Sequence, residues 1–478
     1  MKLPTIAILI IASIYFIMFG LMNISRVDHF NGEYGFDLSN QDQSIWLISR
    51  LETPFSTIRG LHVFGDHTPY IYLLIAPFYI LYNSINVFLL FHSLTIASGS
   101  IGIYLIARKK LSGDYIAVIP ALIYLFYPST TFINIEMVFA ETFAIPLLIF
   151  SFYFFIDDKP KIGTIFSSLA LLCKEDAAVT VVMLAAYIFI FKNKKYGMIL
   201  ASIAIIWFSV NMFVLLPHFN GYGYFRNLYG YNAGGRLGST PSQILNTVLT
   251  DQKMVYEIIF TTENKNYIID TFKPLLFAPF LAPEILMIAA PTLVINIISG
   301  YYYTHFIKYH YTAYIIPFVI IATIYSISRL SKSKHLQICL LSAILASAAY
   351  QNYYMTQEIS PTKPQNLYRL ITISGYNDRE IEMNNILDMI PPTSSVSAPY
   401  RMLMKLSHRK TIYMFPNPFS VSYWGINGEN LPKDHPTYVI IDKELLDQQN
   451  TETVTYINSI NEYITIYDSK DFAVLMKG

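Results

Sequence analysis

The sequence predicts a polytopic α-helical membrane protein with a small α/β domain at its carboxy-terminal end. Of its 478 residues, 54% are hydrophobic and only 14% are charged, whereas soluble domains carry about a quarter charged residues. Apolar runs that could cross about 30 Å of hydrocarbon recur throughout residues 1–350. From about residue 351 the composition is more polar, and short β-rich runs alternate with helical ones.

The first apolar run, residues 1–22, is predicted to be a transmembrane helix with its amino end in the cytoplasm. No small-residue cleavage site follows it and further spans do, which disfavours a cleaved signal peptide. Residues 24–84 then form a predicted outer loop. Within this loop, residues 69–83 are apolar but short and contain Pro77 and several tyrosines. Such a segment is typical of an interfacial or re-entrant helix rather than of a span.

Placing residues 69–83 at the interface sets the direction of every later span. About eleven spans are then predicted in the domain of residues 1–350. After residue 22 they are 85–107, 115–127, 142–156, 162–173, 177–191, 198–216, two runs interrupted at Pro283-Glu284, 311–328 and 338–350. The basic clusters at 108–110, 159–161, 192–195 and 329–334 then share the side of the amino terminus. This is the positive-inside pattern of a plasma-membrane protein.

Two regions are predicted to lie outside the cytoplasm in addition to the first loop. Residues 218–270 are rich in Tyr, Gly and Asn and are longer than a connection needs, which favours a loop that covers a substrate. Residues 351–478 are predicted to be an extracytoplasmic α/β domain, with helices at 379–390 and 443–461. Its strands are predicted at 395–398, 411–415, 438–442, 463–467 and 472–476.

Several classes of function lack support in the sequence. The net charge of +1 gives no field that would attract nucleic acid. No HExxH, GxSxG, CxxC or Walker A motif occurs, so zinc hydrolysis, serine hydrolysis, dithiol redox chemistry and nucleotide hydrolysis are not indicated. The two cysteines, Cys173 and Cys339, are predicted near opposite membrane faces, and a disulfide between them is not expected. The cofactor is unknown, and a divalent cation stays possible.

The candidate functional residues are the ionisable side chains that the predicted topology brings to the outer face. They are Asp37, Asp42, His67, Glu141, Lys174, Glu175, Asp176, Arg226, His305 and His310. An ionisable group at membrane depth costs a few kcal/mol, so it usually has a partner or lines a water-filled cavity. We expect one outward-facing cavity with Asp37 at its centre. The alternative for each residue is an ordinary charge at a helix end that faces water.

Four motifs carry a family resemblance: Phe36-Asp37 with Asp42-Gln43, Asp66-His67 before Pro69, Phe139-Ala140-Glu141, and Lys174-Glu175-Asp176-Ala177. Together with Pro283-Glu284, His310-Tyr311 and Leu406-Ser407, the chain resembles the prokaryotic membrane family called domain of unknown function 2079. That family is similar in architecture to the C-type glycosyltransferases. These are polytopic enzymes with a catalytic carboxylate in an early outer loop.

The resemblance implies a membrane glycosyltransferase that takes a sugar from a polyprenyl-phosphate donor. The acceptor is a glycan, a lipid or a protein outside the cytoplasm. Asp37 is the implied general base, Asp42 could replace it or join it around a divalent ion, and direct displacement inverts the anomeric centre. Lys174 and Arg226 would hold the departing phosphate, and the remaining candidates would bind the substrate.

Two other functions stay open from the sequence. One is a transporter or flippase of a lipid-linked or polar solute, which requires charges near mid-bilayer and helices broken in paired positions. The other is a non-catalytic protein of envelope assembly, in which Asp37 and Lys174 would tolerate substitution.

Overall fold

A computed structural model describes residues 2–31, 35–136, 138–221, 237–238, 241–357, 375–426 and 431–478. Most of these residues are helical. The chain divides into two compact units. The membrane unit comprises residues 1–20, 67–71 and 90–366, and the sheet unit comprises residues 21–66, 72–89 and 367–478.

The membrane unit is built from apolar helices of unequal length. Its helices, together with the two that extend beyond its limits, are Leu3–Asp28, Asn86–Lys110, Val118–Phe126, Pro128–Glu136, Ala144–Ile156, Pro160–Leu171, Ala177–Phe191, Lys194–Val210, Leu216–Asn220, Pro241–Thr250, Gln252–Ile259, Thr262–Phe272, Pro283–Ile298, Ile316–Leu330 and Lys334–Met355. A short π-helix, Asn211–Leu215, joins Lys194–Val210 and Leu216–Asn220 into one continuous helical stretch from Lys194 to Asn220. Within the predicted outer loop of residues 218–270, the described part from residue 241 onward is helical.

Among the described helices, three are long and apolar enough to cross a membrane: Leu3–Asp28, Asn86–Lys110 and Lys194–Asn220. A fourth candidate is the pair Val118–Phe126 and Pro128–Ile135, which is bent by 56°. Five further apolar helices are 10–17 residues long. The structure therefore supports a helical membrane protein, whereas the number of about eleven spans stays a prediction.

Two helices test the sequence assignments near the amino terminus. The first helix runs to Asp28, beyond the predicted end at residue 22. Its polar residues Asn23 and Ser25 are only 2% and 5% exposed, so packing extends the helix past the apolar run. The predicted interfacial segment forms the helix Tyr72–Leu81, which has 10 residues. At 1.5 Å per residue it is too short to cross about 30 Å of hydrocarbon.

The basic clusters of the membrane unit meet at one end of its helices. Asp157 accepts ion pairs from Lys109 and from Lys159, the latter at 2.7 Å. Lys110 is within electrostatic range of Lys109, and also of the members Lys192, Arg329 and Lys332 of the other clusters. The prediction that these clusters share one side is confirmed, and we call this side the basic end. Which membrane face it occupies stays a prediction.

The sheet unit contains a mixed five-stranded sheet. Its strands are β3 (Val396–Ala398), β4 (Ile412–Met414), β5 (Tyr438–Asp442), β6 (Tyr463–Asp468) and β7 (Phe472–Lys477). β1 (Phe55–Ser56) and β2 (Leu61–His62) form a separate antiparallel pair. The spatial order of the sheet is β4-β3-β5-β7-β6. β3 is parallel to β4 and β5, and β7 is antiparallel to β5 and β6. All five strands predicted in residues 395–476 are confirmed.

Helices of the sheet unit pack on this sheet. Asp378–Asp388 begins with a capping box between Asn377 and Glu380, and Gln448–Ser459 follows β5. The helix Tyr400–Leu406 connects β3 to β4.

The amino-terminal part of the chain adds Gly35–Ser49 and Tyr72–Leu81 to the same unit. Phe30 and Ile58, 3% and 0% exposed, belong to the same apolar core as Ile440 and Val474. The unit therefore extends beyond the predicted domain of residues 351–478.

Gly35 begins the helix that carries Asp37, and it lies directly against the backbone of Tyr400. A Cβ atom at position 35 would clash with the Tyr400 carbonyl oxygen. Because backbone cannot move away as a flexible side chain can, we expect Gly35→Ala to destabilise the protein by about 1–3 kcal/mol. Thermal unfolding of the purified protein in detergent measures this loss. Gly375→Ala is the matched control, since no atom of the described residues lies within 4 Å of the added carbon, and an unchanged unfolding temperature for both variants contradicts the prediction.

Candidate functional site

Two helix junctions of the membrane unit place ionisable side chains at the same end. Glu141 lies in the short turn Ala140–Phe143, just before the helix Ala144–Ile156. Lys174, Glu175 and Asp176 connect the helices Pro160–Leu171 and Ala177–Phe191. The opposite ends of Ala144–Ile156 and Pro160–Leu171 lie beside Asp157 and Lys159 at the basic end. Glu141 and residues 174–176 therefore lie at the end of these helices that is opposite to the basic end.

Glu141 and Lys174 form the centre of this site. The Lys174 ammonium donates to Glu141 Oε1 at 3.0 Å, and the two side chains are 7% and 6% exposed. His310 Nε2 lies 3.3 Å from the same carboxylate oxygen. Such a buried pair is tolerated because each charge compensates the desolvation of the other. We call His67, Glu141, Lys174, Glu175, Asp176 and His310 the ion cluster.

Glu175 is held by the segment 67–71, which crosses the same end of the unit. Its Oε1 lies 2.9 Å from His67 Nδ1, and its Oε2 accepts from the Thr68 backbone N–H at 3.1 Å and from the Thr68 hydroxyl at 3.3 Å. The carboxylate is completely buried. Burial opposes its ionisation, but His67 and Lys174 outweigh that effect and lower the pKa of Glu175 to about 2. Glu175 is therefore a permanently ionised anchor for His67.

Asp176 differs from the other two carboxylates of the ion cluster. Its side chain is 31% exposed, and its Oδ2 lies 3.8 Å from the Lys174 nitrogen, too far for a hydrogen bond. Its Oδ1 is buried, and the Tyr314 hydroxyl is near enough to hydrogen-bond the carboxyl group. Burial raises the pKa of Asp176 to about 6, with the nearby charges of Glu175 and Glu141 adding to the effect and Lys174 opposing it.

Aromatic residues enclose the ion cluster. The rings of Phe139 and His310 stack with centroids 3.8 Å apart, and the Lys174 nitrogen lies 5.9 Å from the centre of the Tyr311 ring. Tyr314 lies close enough to Asp176 to interact with it electrostatically. Sequence reasoning missed Thr68 and Tyr314 as members of the site. The signal for Thr68 was its position directly after His67, whereas Tyr314 lies in an apolar run and gave none.

His305 is a predicted site residue of the membrane unit that is not found in the ion cluster. His305 is engaged elsewhere, with its ring nitrogens 2.7 Å from Asn264 Oδ1 and 3.0 Å from the Ser299 carbonyl oxygen. His305 is thus part of a separate polar contact between a helix and the following turn. Arg226 lies outside the described residues, and its role stays a prediction.

Asp37 and Asp42 lie on the helix Gly35–Ser49 of the sheet unit. Asp37 occupies the first turn, where the helix dipole favours a negative charge, and is half-buried. Asp42 is completely buried: Tyr79 donates to it at 2.6 Å, Ser407 donates to its second oxygen, and His408 Nε2 lies 3.0 Å from that oxygen. The catalytic role of either residue, and a cavity shared with the ion cluster, stay predictions.

A metal site was left open by the sequence. Within the described ranges, no group of three or more His, Cys, Asp or Glu side chains is arranged to hold a metal ion. In the ion cluster, the position next to Glu141 that a cation would take is filled by the Lys174 ammonium.

Comparison with known proteins adds a family and a fold. The family model described as "Predicted membrane protein (DUF2079)" matches residues 33–471. No curated protein matches the chain at a significant level. Among solved structures, the apo oligosaccharyltransferase of Archaeoglobus fulgidus aligns over 92% of this chain and 70% of its own, with 12% identity and a TM-score of 0.50. The same enzyme in complex with Zn and sulfate aligns over 97% and 73%, with 13% identity and a TM-score of 0.46. At 12% identity, the likeness to the apo enzyme concerns the fold.

Proposed function

Since the chain belongs to the DUF2079 family of predicted membrane proteins, we propose that it is a C-type membrane glycosyltransferase. In this proposal it moves a sugar from a polyprenyl-phosphate donor to an acceptor on the extracytoplasmic face of the plasma membrane. The observation that carries the proposal is the ion cluster, opposite the basic end, in a chain with an oligosaccharyltransferase-like fold. That solved relative transfers oligosaccharides, as its name states.

The energetic cost of burying the ion cluster supports a binding or catalytic role for it. Three carboxylates, one lysine and two histidines are gathered among apolar helices, where a buried charge costs several kcal/mol unless it is compensated. A helix junction that merely faces water does not need this many charged side chains. Perturbed titratable groups that lie together are typical of binding and catalytic sites.

The members of the ion cluster would have different tasks. Glu141 and Glu175 each have a close partner, so they hold Lys174 and His67 in place. His67 and Asp176, with side chains 32% and 31% exposed, are the members that a ligand can reach. Sugar hydroxyls would bind there, and the positive charge of Lys174 would stabilise the departing phosphate.

The chemistry requires one proton acceptor. A sugar on a phosphate already has a good leaving group, so attack by the acceptor hydroxyl needs only a base that removes its proton. We assign this role to Asp37. The acceptor oxygen bonds to the anomeric carbon from the face opposite the phosphate, the bond to the phosphate oxygen breaks, and the configuration inverts. Asp42, with its three polar neighbours, would fix the helix that carries Asp37.

The test is sugar release and transfer from a panel of polyprenyl-phosphate sugars by the purified full-length protein. We expect turnover by the natural protein and a loss of about 10²–10⁴-fold in Asp37→Asn, because an amide cannot accept the proton. Asp114→Asn is the matched control. That carboxylate lies at the basic end, where it pairs with Lys2 and Arg108, and its loss is expected to leave transfer unchanged.

Folding of each variant is checked by its thermal unfolding in detergent. Full activity in a folded Asp37→Asn variant removes Asp37 as the base but leaves the transferase standing. Donor binding without turnover, unaffected by Asp37→Asn and by Lys174→Ala, contradicts the transferase and favours a transporter or an assembly protein.

One observation favours transport as the second candidate function. The helix pair Val118–Phe126 and Pro128–Ile135 is broken by a 56° bend, and broken helices line the solute sites of many transporters. A flippase would move a fluorescent polyprenyl-phosphate sugar across a reconstituted vesicle without cleaving it. Movement of the labelled lipid across the vesicle membrane without sugar release would support the flippase function.

A further inference from the structure

We propose that the turn Arg50-Leu51 and the helix Tyr72–Leu81 form one lipid-binding surface of the sheet unit, with the Leu51 side chain inserted into the hydrocarbon of the bilayer. The occupant of this surface is a phospholipid membrane. The inference goes beyond the proposed function and does not depend on it. It fixes the depth at which the helix that carries Asp37 and Asp42 ends.

Leu51 is an unusual residue for its position at the end of the helix Gly35–Ser49. The Leu51 N–H donates to the Ile48 carbonyl oxygen at 3.0 Å, and the next N–H along the chain donates to the Leu47 carbonyl oxygen at 3.0 Å. These two bonds form a Schellman motif, in which glycine usually takes the left-handed position. Leu51 takes this position with a φ of 56°, and its side chain is 97% exposed. Neither the backbone nor, in water, the side chain favours a leucine here, so its benefit lies in a contact outside the unit.

The helix Tyr72–Leu81 supplies an apolar face. Its sequence, YLLIAPFYIL, includes no charged side chain. One face of the helix is buried, with the spacing that is typical of a helix packed on a core: Tyr72, Ile75, Ala76 and Tyr79. The other large side chains and the residue that follows the helix are exposed: Leu73, Leu74, Phe78, Ile80, Leu81 and Tyr82. Water does not stabilise a continuous apolar face of this kind, so it marks a contact surface.

A hydrogen bond joins the turn to the end of this helix. Trp46 Nε1 donates to Asn83 Oδ1 at 3.0 Å. Trp46 lies about one helical turn before Arg50, whose guanidinium lies 5.9 Å from the centre of the Trp46 ring. Asn83 lies two residues after Leu81, which is 81% exposed. The turn and the exposed end of the helix therefore lie side by side within the sheet unit.

The chain itself identifies the bilayer as the occupant of this surface. The helix Asn86–Lys110, which is long and apolar enough to cross a membrane, begins three residues after Asn83. Three residues reach at most about 10 Å, so Asn83 and the turn that is bonded to it lie close to the membrane surface. Trp46 and Tyr82, on either side of Asn83, are residue types that are enriched where a membrane meets water.

Arg50 matches the charge of lipid headgroups. It is exposed, and among the described residues no carboxylate pairs with it. Glu52, two residues later, is paired with Lys410 at 2.6 Å. A guanidinium binds phosphate oxygens through two parallel hydrogen bonds, and a basic residue beside a membrane is attracted to anionic lipids. A phospholipid therefore supplies both the hydrocarbon that favours Leu51 and the phosphate that favours Arg50.

The experiment attaches the fluorophore NBD to Leu51→Cys in the full-length protein, held as a single copy in a nanodisc of phosphatidylcholine and phosphatidylglycerol. Cys339→Ala removes the exposed natural cysteine, and Cys173 is buried. Leu81→Cys is the membrane control. Tyr456→Cys is the aqueous control, because it lies on a helix whose exposed residues are otherwise polar. We expect the Leu51 and Leu81 labels to have blue-shifted emission, strong quenching by lipids brominated in their acyl chains and weak quenching by iodide, and the Tyr456 label to show the reverse.

Each outcome supports or overturns the inference. Quenching of the Leu51 label by brominated lipid, at the level of the Leu81 label, supports it. A Leu51 label that iodide quenches as strongly as the Tyr456 label overturns it, because the turn then faces water. A Leu51 label that neither quencher reaches also overturns it, because protein then covers the turn, and so does a Leu81 label that lipid does not quench. Thermal unfolding of each labelled protein verifies the fold, which a change at a side chain as exposed as Leu51 should not disturb.

Discussion

Lys174→Met is expected to destabilise the membrane unit by about 3–5 kcal/mol, because it leaves the Glu141 carboxylate buried without a cation. The Glu141 side chain is 6% exposed, and the Lys174 ammonium at 3.0 Å is its closest charged partner among the described residues. His310 Nε2, at 3.3 Å, cannot replace that charge cheaply because its ring is buried as well. Thermal unfolding in detergent, followed by circular dichroism, measures the loss.

A second variant separates the ion pair from packing. Lys174→Met combined with Glu141→Met removes both charges and retains most of the side-chain volume, and we expect it to recover a large part of the lost stability. Lys195→Met, an exposed lysine at the basic end, is the matched control and should change stability by less than about 0.5 kcal/mol. If the double variant is as unstable as Lys174→Met alone, the two side chains do not act as a compensating pair.

The sequence predicted those features that depend on local pattern. Alternating and β-branched residues located the strand of residues 438–442 to the residue, because a strand has a period of two and turn residues at its ends. Basic residues at the ends of apolar runs predicted the shared basic end, since lysine and arginine are retained on the cytoplasmic side. Lys174, Glu175 and Asp176 stood out because charges between apolar helices are costly.

The partners within the site could not be predicted, because they depend on tertiary structure. Lys174 pairs with Glu141, 33 residues earlier, and Glu175 with His67, 108 residues earlier. No local pattern distinguishes these pairs from a self-neutralising Lys174-Glu175-Asp176 junction. The partners of His305 were equally hidden: its position next to an outer turn suggested the site, and the structure shows its ring nitrogens beside Asn264 and Ser299.

Sequence reasoning could not assign different roles to Asp37 and Asp42, the two carboxylates of the early outer loop, because their environments depend on tertiary structure. Asp42→Ala is expected to destabilise the sheet unit by about 3–5 kcal/mol, because it removes a completely buried acceptor. The Tyr79 hydroxyl, the Ser407 hydroxyl and His408 would all lose their common partner. Hydrogen exchange should then rise in the helices Tyr72–Leu81 and Tyr400–Leu406, which Asp42 links to its own helix.

Asp37→Ala is the matched variant on the same helix. Asp37 is half-buried in the first turn, so its loss should cost no more than about 1 kcal/mol of stability while transfer is lost. The two substitutions are therefore expected to have different effects. Asp42→Ala should mainly lower the stability of the fold, and Asp37→Ala should mainly lower the rate of transfer. An Asp42→Ala variant that keeps its unfolding temperature and its exchange protection, yet transfers no sugar, would move the base from Asp37 to Asp42. Buried hydrogen bonds to Asp42 would then hold a catalytic carboxylate in position rather than fasten a helix to the sheet unit.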